Sequence, residues 1–172
     1  MTGESETTPP ADRPVSPAIA AAEASGVPFQ VVVTTPAGSA QESADLQGIP
    51  LEALLRTLVV RRGEDDYLFV LVPAGRRLDW PLLRTHLGVK RLSLPDADEA
   101  LAVTGYVRFT ITPFGSSRSW PVILDQAAAG LDVVSVGGGV RGTNLHLAPA
   151  DLVRGLEAVV AEVSTPGSMS DG

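Results

Sequence analysis

The sequence predicts an α+β fold with a mixed, largely antiparallel sheet, and three observations support this. With 172 residues, 44% hydrophobic and 19% charged, the chain can bury one core and form a single domain. Short strand-like segments are mixed with single helix candidates, without the regular βαβ alternation of a parallel sheet. A polar turn at residues 63–66 separates two strand-like segments, which predicts an antiparallel hairpin at the centre of the sheet.

The N-terminal third predicts a tail followed by two helices and a strand. Residues 1–17 are rich in Thr, Pro, Ser and Glu and show no apolar periodicity, which is typical of a disordered tail. An Ala-rich segment from Ala18 to Ala24 predicts a short helix. Phe29 to Thr34 is dominated by β-branched residues and predicts a strand, and Ser39 to Leu46 predicts a second helix.

The next strand, from Leu54 to Arg61, contains a charge where its pattern predicts an apolar residue. Alternation places Leu54, Arg56 and Leu58 on the same face. A guanidinium is rarely buried without partners. Arg56 therefore either extends its head group to the rim of the sheet or lines a polar pocket in an apolar face.

Two strands and two helices are predicted after this. Tyr67 to Val72 is a near-continuous apolar run, which is typical of a strand buried on both faces. Asp79 can cap a helix that extends through Leu87, and Arg91 to Leu94 predicts a short strand. Asp96 to Val103 predicts another helix.

A loop and a short strand come next. Thr112 precedes Pro113, which disfavours helix and predicts a loop. Pro121 to Leu124 predicts a strand. Asp125 can cap a short helix from Gln126 to Ala129, or it can orient the loop around Pro113.

The C-terminal part predicts a hairpin and a final helix. Strands from Leu131 to Val136 and from Thr143 to Leu147 flank three glycines that suit a turn with positive φ. Pro149 opens a helix with one apolar stripe, formed by Leu152, Leu156, Val159, Val160 and Val163. Residues 164–172 predict a disordered C-terminal tail.

Charge and composition restrict the classes of function. A net charge of −7 argues against sequence-blind binding to nucleic-acid backbones, so no DNA partner is expected and any nucleic-acid contact must be local. The absence of Cys excludes disulfides, thiolate metal sites and a Cys nucleophile. No segment has the roughly 18 apolar residues of a membrane span, and no secretion signal is present, so we expect a cytoplasmic protein without a membrane partner.

Familiar catalytic motifs are not found. The glycines at 137–139 lie between two predicted strands, where a phosphate-binding loop would precede a helix. His86 and His146 lack the spacing of metal ligands, so no metal and no cofactor are expected. Ser116, Ser117 and Ser119 are not in the strand–turn–helix context of a serine nucleophile. Composition and spacing alone therefore lead to an α+β domain with a pocket built from loops.

An ordered set of short motifs is more specific than composition and spacing. The motifs are Arg56-Thr57-Leu58-Val59-Val60, Gly105-Tyr106, Thr112-Pro113-Phe114-Gly115, Pro121-Val122-Ile123-Leu124-Asp125, Gly137-Gly138 with Arg141-Gly142, and Leu147-Ala148-Pro149-Ala150-Asp151-Leu152. In this order they resemble the YbaK family of aminoacyl-tRNA editing domains, which includes free-standing deacylases and the insertion domain of bacterial prolyl-tRNA synthetase. The resemblance extends from about Phe29 to Val163 and assigns residues 18–163 to one YbaK-like domain.

The resemblance implies a mixed domain with a strongly curved central sheet and flanking helices. Its pocket would receive the acceptor end of a mischarged tRNA and hydrolyse the ester between amino acid and ribose, in trans. Such a second site is needed because a synthetase rejects a slightly smaller amino acid by only a modest factor. The implied partners are the aminoacyl-tRNA acceptor end and an aminoacyl-tRNA synthetase, and no cofactor is implied.

The resemblance also implies site residues, with two departures from the family pattern. The family's lysine corresponds to Arg56, and the glycine of its Gly-x-x-x-Pro loop corresponds to Phe109. The implied catalytic residues are Arg56, Thr110, Ile111, Thr112 and Pro113, and the implied substrate-binding residues are Phe109, Gly115, Asp125, Gly137, Gly138 and Asn144. Because Arg and Lys are not interchangeable, a binding module without turnover is an alternative function. A small-molecule hydrolase unrelated to tRNA is a further alternative.

Overall fold

The computed structural model describes residues 6–7 and 15–167, with side chains from residue 15 onwards. The helices are α1 (Pro17–Ser25), α2 (Ala40–Gln47), α3 (Trp80–Leu87), α4 (Ala97–Thr104), α5 (Gln126–Ala129) and α6 (Pro149–Leu156). The strands are β1 (Glu6–Thr7), β2 (Gln30–Val33), β3 (Leu55–Gly63), β4 (Asp66–Pro73), β5 (Arg76–Leu78), β6 (Val122–Asp125), β7 (Val134–Gly137), β8 (Thr143–Leu147), β9 (Val159–Ala161) and β10 (Ser164–Pro166).

These strands confirm the mixed α+β class, but they form two four-stranded sheets where one central sheet was predicted. One sheet has the order β1-β2-β8-β7 and is antiparallel. The other has the order β3-β4-β6-β9, with an antiparallel β3-β4 hairpin and parallel β4-β6 and β6-β9 pairs. The hairpin is confirmed, but β3 lies at the edge of its sheet because only an isolated bridge, Leu54 to Ser135, joins it to β7.

Strand β4 separates two hydrophobic clusters, which confirms that it is buried on both faces. Phe69 and Leu71 point into the larger cluster, which also contains Leu152 of α6. Leu68 and Val70 point into the smaller cluster, with Leu83 of α3. The alternation of a strand, with period two, gives this partition. The larger cluster contains residues of both four-stranded sheets. The two sheets therefore pack together at β3 and β4, the hairpin that carries Arg56.

The helix caps predicted at Asp79 and Asp96 are confirmed, and Ser39, predicted only to begin a helix, is also a cap. The side chains of Ser39, Asp79 and Asp96 each accept a hydrogen bond from the amide three residues later, at the start of α2, α3 and α4. Asp125 caps α5 by accepting from Ala127 N at 3.2 Å. Such caps satisfy amides that have no partner within the helix, and they can be read from sequence because they are local.

The predicted long C-terminal helix is wrong. Helix α6 ends at Leu156, where Glu157 adopts a φ of 54° and Ala158 N donates to Val153 O at 3.0 Å. Val159 and Val160, placed in the helical stripe by the sequence prediction, instead form β9, which pairs in parallel with β6. Their β-branched side chains suit a strand, and the open edge of β6 provides the partner.

The two predicted tails contain paired segments. Ser164–Pro166 forms β10, antiparallel to β5, and Glu6–Thr7 forms β1, antiparallel to β2. Backbone pairing with an existing strand orders segments that lack apolar periodicity, which explains why the sequence pattern missed them. The other residues of the predicted tails, 1–5, 8–14 and 168–172, lie outside the described residues.

Smaller differences affect two predicted strands. The segment from Arg91 to Leu94 forms only an isolated bridge, in which Arg61 N donates to Ser93 O at 2.8 Å and Ser93 N donates to Arg61 O at 3.0 Å. The strand predicted from Leu131 begins at Val134. Within residues 6–7 and 15–167, no helix is long and apolar enough to cross a membrane.

Candidate active site

Arg56 lies near the start of β3, opposite Val72 of β4. Its side chain is partly buried, and it forms no hydrogen bond or ion pair with another residue of the described ranges. A guanidinium carries five N–H donors in a fixed fork. Arg56 therefore keeps its full capacity to bind a carbonyl oxygen or a phosphate.

Arg56, Gly137 and Asn144 form a row across three strands, which we call the polar row. Leu54 bridges Ser135 in parallel, and Arg56 and Gly137 each follow two residues later on neighbouring strands, close together although the bridge is isolated and the two residues are not paired. Gly137 is in turn paired with Asn144 of β8. Residues in register on adjacent strands project from the same face of a sheet. The fold thus brings together three of the predicted site residues from strands distant in sequence.

The predicted 110–113 loop lies on Gly137. A Cβ at that glycine would be 3.3 Å from Ile111 O, 3.8 Å from Thr110 O and 3.8 Å from the Thr112 Cβ. Such distances leave little room for a larger side chain, so the glycine allows the loop to approach the sheet. The loop and the polar row consequently border the same space.

Internal hydrogen bonds fix the shape of this loop. Thr110 donates to Val107 O through both its amide (3.0 Å) and its hydroxyl (2.8 Å). The buried Tyr106 hydroxyl donates to Phe114 O at 2.7 Å, and burial raises the pKa of Tyr106 to about 12. The phenol therefore stays protonated at neutral pH and continues to donate. Thr112, also buried, accepts from Phe114 N at 3.4 Å.

The amide of Ile111 is not used in this network. Within the described residues it donates no hydrogen bond, although both neighbouring residues, Thr110 and Thr112, take part in hydrogen bonds. Backbone N–H groups held by a fixed loop are effective donors to a developing oxyanion, because they need no reorganisation during the reaction. The loop thus provides a donor beside the polar row.

Phe109 precedes this loop and adopts a φ of 73°. Positive φ is readily adopted by glycine but is unfavourable for a bulky side chain. The backbone at Phe109 therefore has a conformation that suits the glycine implied by the family resemblance, although the residue itself is a phenylalanine. The ring is 68% exposed, so it points away from the core.

Two predicted substrate-binding residues have structural roles. Asp125 is buried, and its carboxylate accepts from Ala127 N, from Val163 N at 3.0 Å and from Ser164 Oγ at 2.7 Å, with Arg76 Nε at 3.7 Å. It caps α5 and anchors the C-terminal segment, so its carboxylate has a structural role. Gly115, with a φ of 72°, lets the end of the loop pack against α1.

The second glycine of the site is supported by a residue that the sequence prediction placed in the tail. Ser16 Oγ donates to Gly138 O at 2.7 Å and accepts from Ile19 N at 3.1 Å, so the N-cap of α1 also holds the glycine turn. The turn itself is confirmed, with positive φ at Gly139 and Gly142. The Ser-Pro pair before an Ala-rich run was the local signal of this cap.

A buried polar network lies next to the polar row and was not predicted. Ser135 Oγ donates to Gln47 Oε1 at 2.6 Å, and His146 Nε2 lies 2.8 Å from the same oxygen. Since that oxygen only accepts, His146 must carry a proton on Nε2. Burial lowers the pKa of His146. The network fixes α2 against β7 and β8, the strands that carry Gly137 and Asn144.

This network predicts a pH dependence of stability. Above the ordinary histidine pKa, near 6.5, both folded and unfolded chains hold His146 neutral, and its contribution is complete. As the pH falls below that value, the unfolded chain takes up a proton that folded His146 resists, so the free energy of unfolding decreases. We expect the free energy of unfolding, measured with urea at pH 7.5 and at pH 5.5, to differ less between the two pH values for His146→Asn than for the wild type.

His86 provides the control for this measurement, because it is exposed. His86→Asn should keep the wild-type difference between the two pH values. An unchanged pH dependence in His146→Asn would show that the histidine does not resist protonation in the folded state.

The described residues contain no group of three or more His, Asp or Glu side chains that could hold a metal ion. Of the cavities, one of about 500 Å³ is lined by Arg84, Lys90 and neighbouring residues, and another of about 420 Å³ by Arg76, Ala127 and neighbouring residues. Neither is lined by the 110–113 loop. The candidate site beside the loop is therefore distinct from these two cavities.

Comparison with known proteins identifies the family. Residues 34–154 match the family described as aminoacyl-tRNA editing domain. The chain is 27% identical over 127 residues to a protein of Enterococcus faecalis named "Putative Cys-tRNA(Pro)/Cys-tRNA(Cys) deacylase EbsC", covering 74% of this chain and 77% of that protein. It is 30% identical over 110 residues to a proline–tRNA ligase of Fervidobacterium nodosum, but covers only 19% of that ligase.

Solved structures agree with this match. One, described as "a putative trans-editing enzyme for prolyl tRNA synthetase", has a TM-score of 0.79 and 26% identity, covering 88% of this chain and 99% of the other. Another, of a hypothetical protein, has a TM-score of 0.80 and 25% identity, covering 87% and 100%. The family match includes β3, the 110–113 loop and the polar row. The chain belongs to the aminoacyl-tRNA editing domain family.

Proposed function

We propose that this chain is a trans-acting aminoacyl-tRNA deacylase that hydrolyses the ester of mischarged tRNA. The observation that carries the proposal is the polar row of Arg56, Gly137 and Asn144 with the 110–113 loop lying on it, in a chain of the editing-domain family. The similarity to a protein named as a Cys-tRNA deacylase supports the same reaction. We further propose a cytoplasmic location and association with a synthetase, because the substrate is the product of such an enzyme.

The reaction requires attack of water on the ester carbonyl. The C–O bond to the ribose breaks, the amino acid leaves as its carboxylate, and the ribose oxygen takes up a proton. Arg56 would hold the carbonyl region or the adjacent phosphate through its guanidinium. The Ile111 amide would donate to the oxygen on which negative charge develops.

No general base is provided by the polar row. It contains Arg56, Gly137 and Asn144, none of which accepts a proton at neutral pH. We therefore assign the positioning of water to loop carbonyls and to hydroxyl groups of the substrate itself. Thr110 O and Ile111 O lie at the edge of the site, each within 4 Å of the point that a Cβ at Gly137 would occupy.

A panel of tRNAs, each charged with a wrong amino acid, tests the proposal. Release of the amino acid from at least one of them, above the spontaneous rate, is expected. Including cysteine on tRNA(Pro) covers the substrate that the name of one relative gives. No hydrolysis of any member, while an active family member works under the same conditions, would refute the enzymatic function.

A non-catalytic binding module is the second candidate, favoured by the exposed Phe109 ring in a glycine conformation. In that case a non-hydrolysable aminoacyl-adenosine mimic binds, but no charged tRNA is turned over. A comparison of wild type and Arg56→Ala separates the two functions. A deacylase loses rate in the variant, whereas a binding module loses only affinity.

A further inference from the structure

An exposed aromatic ring with two arginines close to it lies directly beside the candidate active site. The guanidinium carbon of Arg108 is 4.9 Å from the centre of the Phe109 ring, and that of Arg141 is 5.6 Å from it. The ring comes from the 105–115 loop, and Arg141 comes from the turn between β7 and β8. We call these three residues the Phe109 platform.

The two arginines of the platform are not neutralised. Both are exposed, and neither forms an ion pair with a carboxylate of the described residues. The chain as a whole carries a net charge of −7, so unpaired positive charge beside an exposed ring is a local feature. Local positive charge of this kind attracts phosphate groups.

The ring is held in its exposed position at a conformational cost. Phe109 adopts a φ of 73° and is 68% exposed, so neither backbone preference nor burial explains a large apolar side chain here. Two guanidinium carbons lie within 6 Å of the centre of its ring. Strain at an observed outlier supports a functional hypothesis when a second feature points to a ligand, and the exposed cation–aromatic cluster is that feature.

We propose that the Phe109 platform binds an unpaired nucleobase of the single-stranded acceptor end, with Arg108 and Arg141 on the flanking phosphates. Every base has a flat face that can stack on an aromatic ring or on a guanidinium plane, and the adjoining phosphates match the two charges. An acidic peptide would satisfy the arginines but would leave the ring without a matching flat partner. The proposal rests on the deacylase function and adds the nucleotide contact.

The position of the platform agrees with this role. Phe109 precedes Thr110, and the loop that follows lies on Gly137 of the polar row. A base held on the ring would therefore place the adjoining ribose and its ester near the Ile111 amide and Arg56. The platform would supply local affinity for nucleic acid in an acidic chain.

Binding of a fluorescein-labelled single-stranded RNA ending in CCA, followed by anisotropy, tests the platform with the full-length chain. Phe109→Leu keeps apolar volume but removes the ring, and we expect it to weaken binding about 5- to 100-fold, the effect of losing one stacked base. Phe109→Tyr keeps the ring and is expected to restore binding to within about threefold of wild type. Equal affinities of Phe109→Leu and wild type would overturn the proposal.

The arginines are tested by the salt dependence of the same binding. Arg108→Gln and Arg141→Gln should each weaken binding and reduce the slope of log affinity against log salt by about 0.7. Arg91→Gln is the matched control, since Arg91 is also exposed but lies before α4, outside the loop and the turn that form the platform. Loss of affinity in Arg91→Gln equal to that in the platform variants would show unspecific charge attraction.

Two further measurements separate this inference from the deacylase proposal. In the first, an RNA with abasic residues in place of the CCA bases should bind the wild type as weakly as the intact RNA binds Phe109→Leu. If the wild type binds the abasic and the intact RNA equally well, base stacking on the ring is overturned without the use of a variant. Deacylation without such a base preference would refute the platform alone, whereas base-dependent binding without deacylation would refute only the enzymatic function. Preference for an acidic peptide over the RNA would also overturn the platform.

Discussion

Replacing Arg56 by alanine is expected to lower the rate of deacylation by about 100-fold or more, the usual cost of removing one group that stabilises developing charge. Arg56 has no hydrogen bond or ion pair within the described residues, so its removal leaves no other group without a partner. The free energy of unfolding should change by less than about 1 kcal/mol. Single-turnover hydrolysis of mischarged tRNA and urea unfolding measure the two effects.

Arg56→Lys and a distant arginine complete this test. Lysine keeps the charge but loses the planar fork, so we expect a rate between those of Arg56→Ala and wild type. Arg77 is exposed on β5, and Arg77→Ala should retain the wild-type rate. A faster Arg56→Lys enzyme would show that arginine at this position reduces turnover. A wild-type rate in Arg56→Ala would remove the residue from the mechanism.

Gly115→Ala is expected to reduce the free energy of unfolding by about 3 kcal/mol, from steric overlap and a strained backbone together. A Cβ at this position would lie 2.4 Å from Pro17 O and 2.7 Å from the Tyr106 hydroxyl, and the residue has a φ of 72°. The overlap pushes α1 away from the loop and disturbs the bond from Tyr106 to Phe114 O. Urea unfolding measures the change in stability.

Gly130→Ala is the matched control, because a Cβ there meets nothing within 4 Å and φ is −94°. Its free energy of unfolding should stay within about 1 kcal/mol of wild type. Deacylation by Gly115→Ala, measured at a temperature where it is folded, should also decrease because the 110–113 loop loses its support. Equal stability of the two variants would show that the loop and α1 adapt easily to the added methyl group.

Local features of the fold were predictable from sequence. The caps at Ser39, Asp79 and Asp96 and the buried strand β4 depend on residues within a few positions of one another, so the pattern alone determines them. The final helix was predicted too long because Val159 and Val160 continue an apolar stripe. Their pairing with β6 is a long-range interaction, and no local rule contains it.

The candidate site was predicted only in part. The ordered motifs and the family resemblance identified Arg56, the 110–113 loop and Gly137, and the structure brings these together. They also suggested Asp125, whose carboxylate is fully occupied by α5 and the C-terminal segment. The supporting residues Gln47 and Ser135 carried no signal of their role, and for Ser16 only the helix cap could be read from the sequence, because the contacts with distant segments are not encoded locally.

The sequence by itself determined the fold class, the helix starts, the family and the unusual arginine in β3. Only the tertiary structure decided that the strand of Arg56 lies beside the strands of Gly137 and Asn144, that Phe109 keeps a glycine conformation, and that Arg108 and Arg141 meet at its ring. Periodicity and caps depend on neighbours in the chain, and so they are encoded locally. The register between β3 and β7, and the contact of a loop with a turn, depend on how separate segments pack in three dimensions.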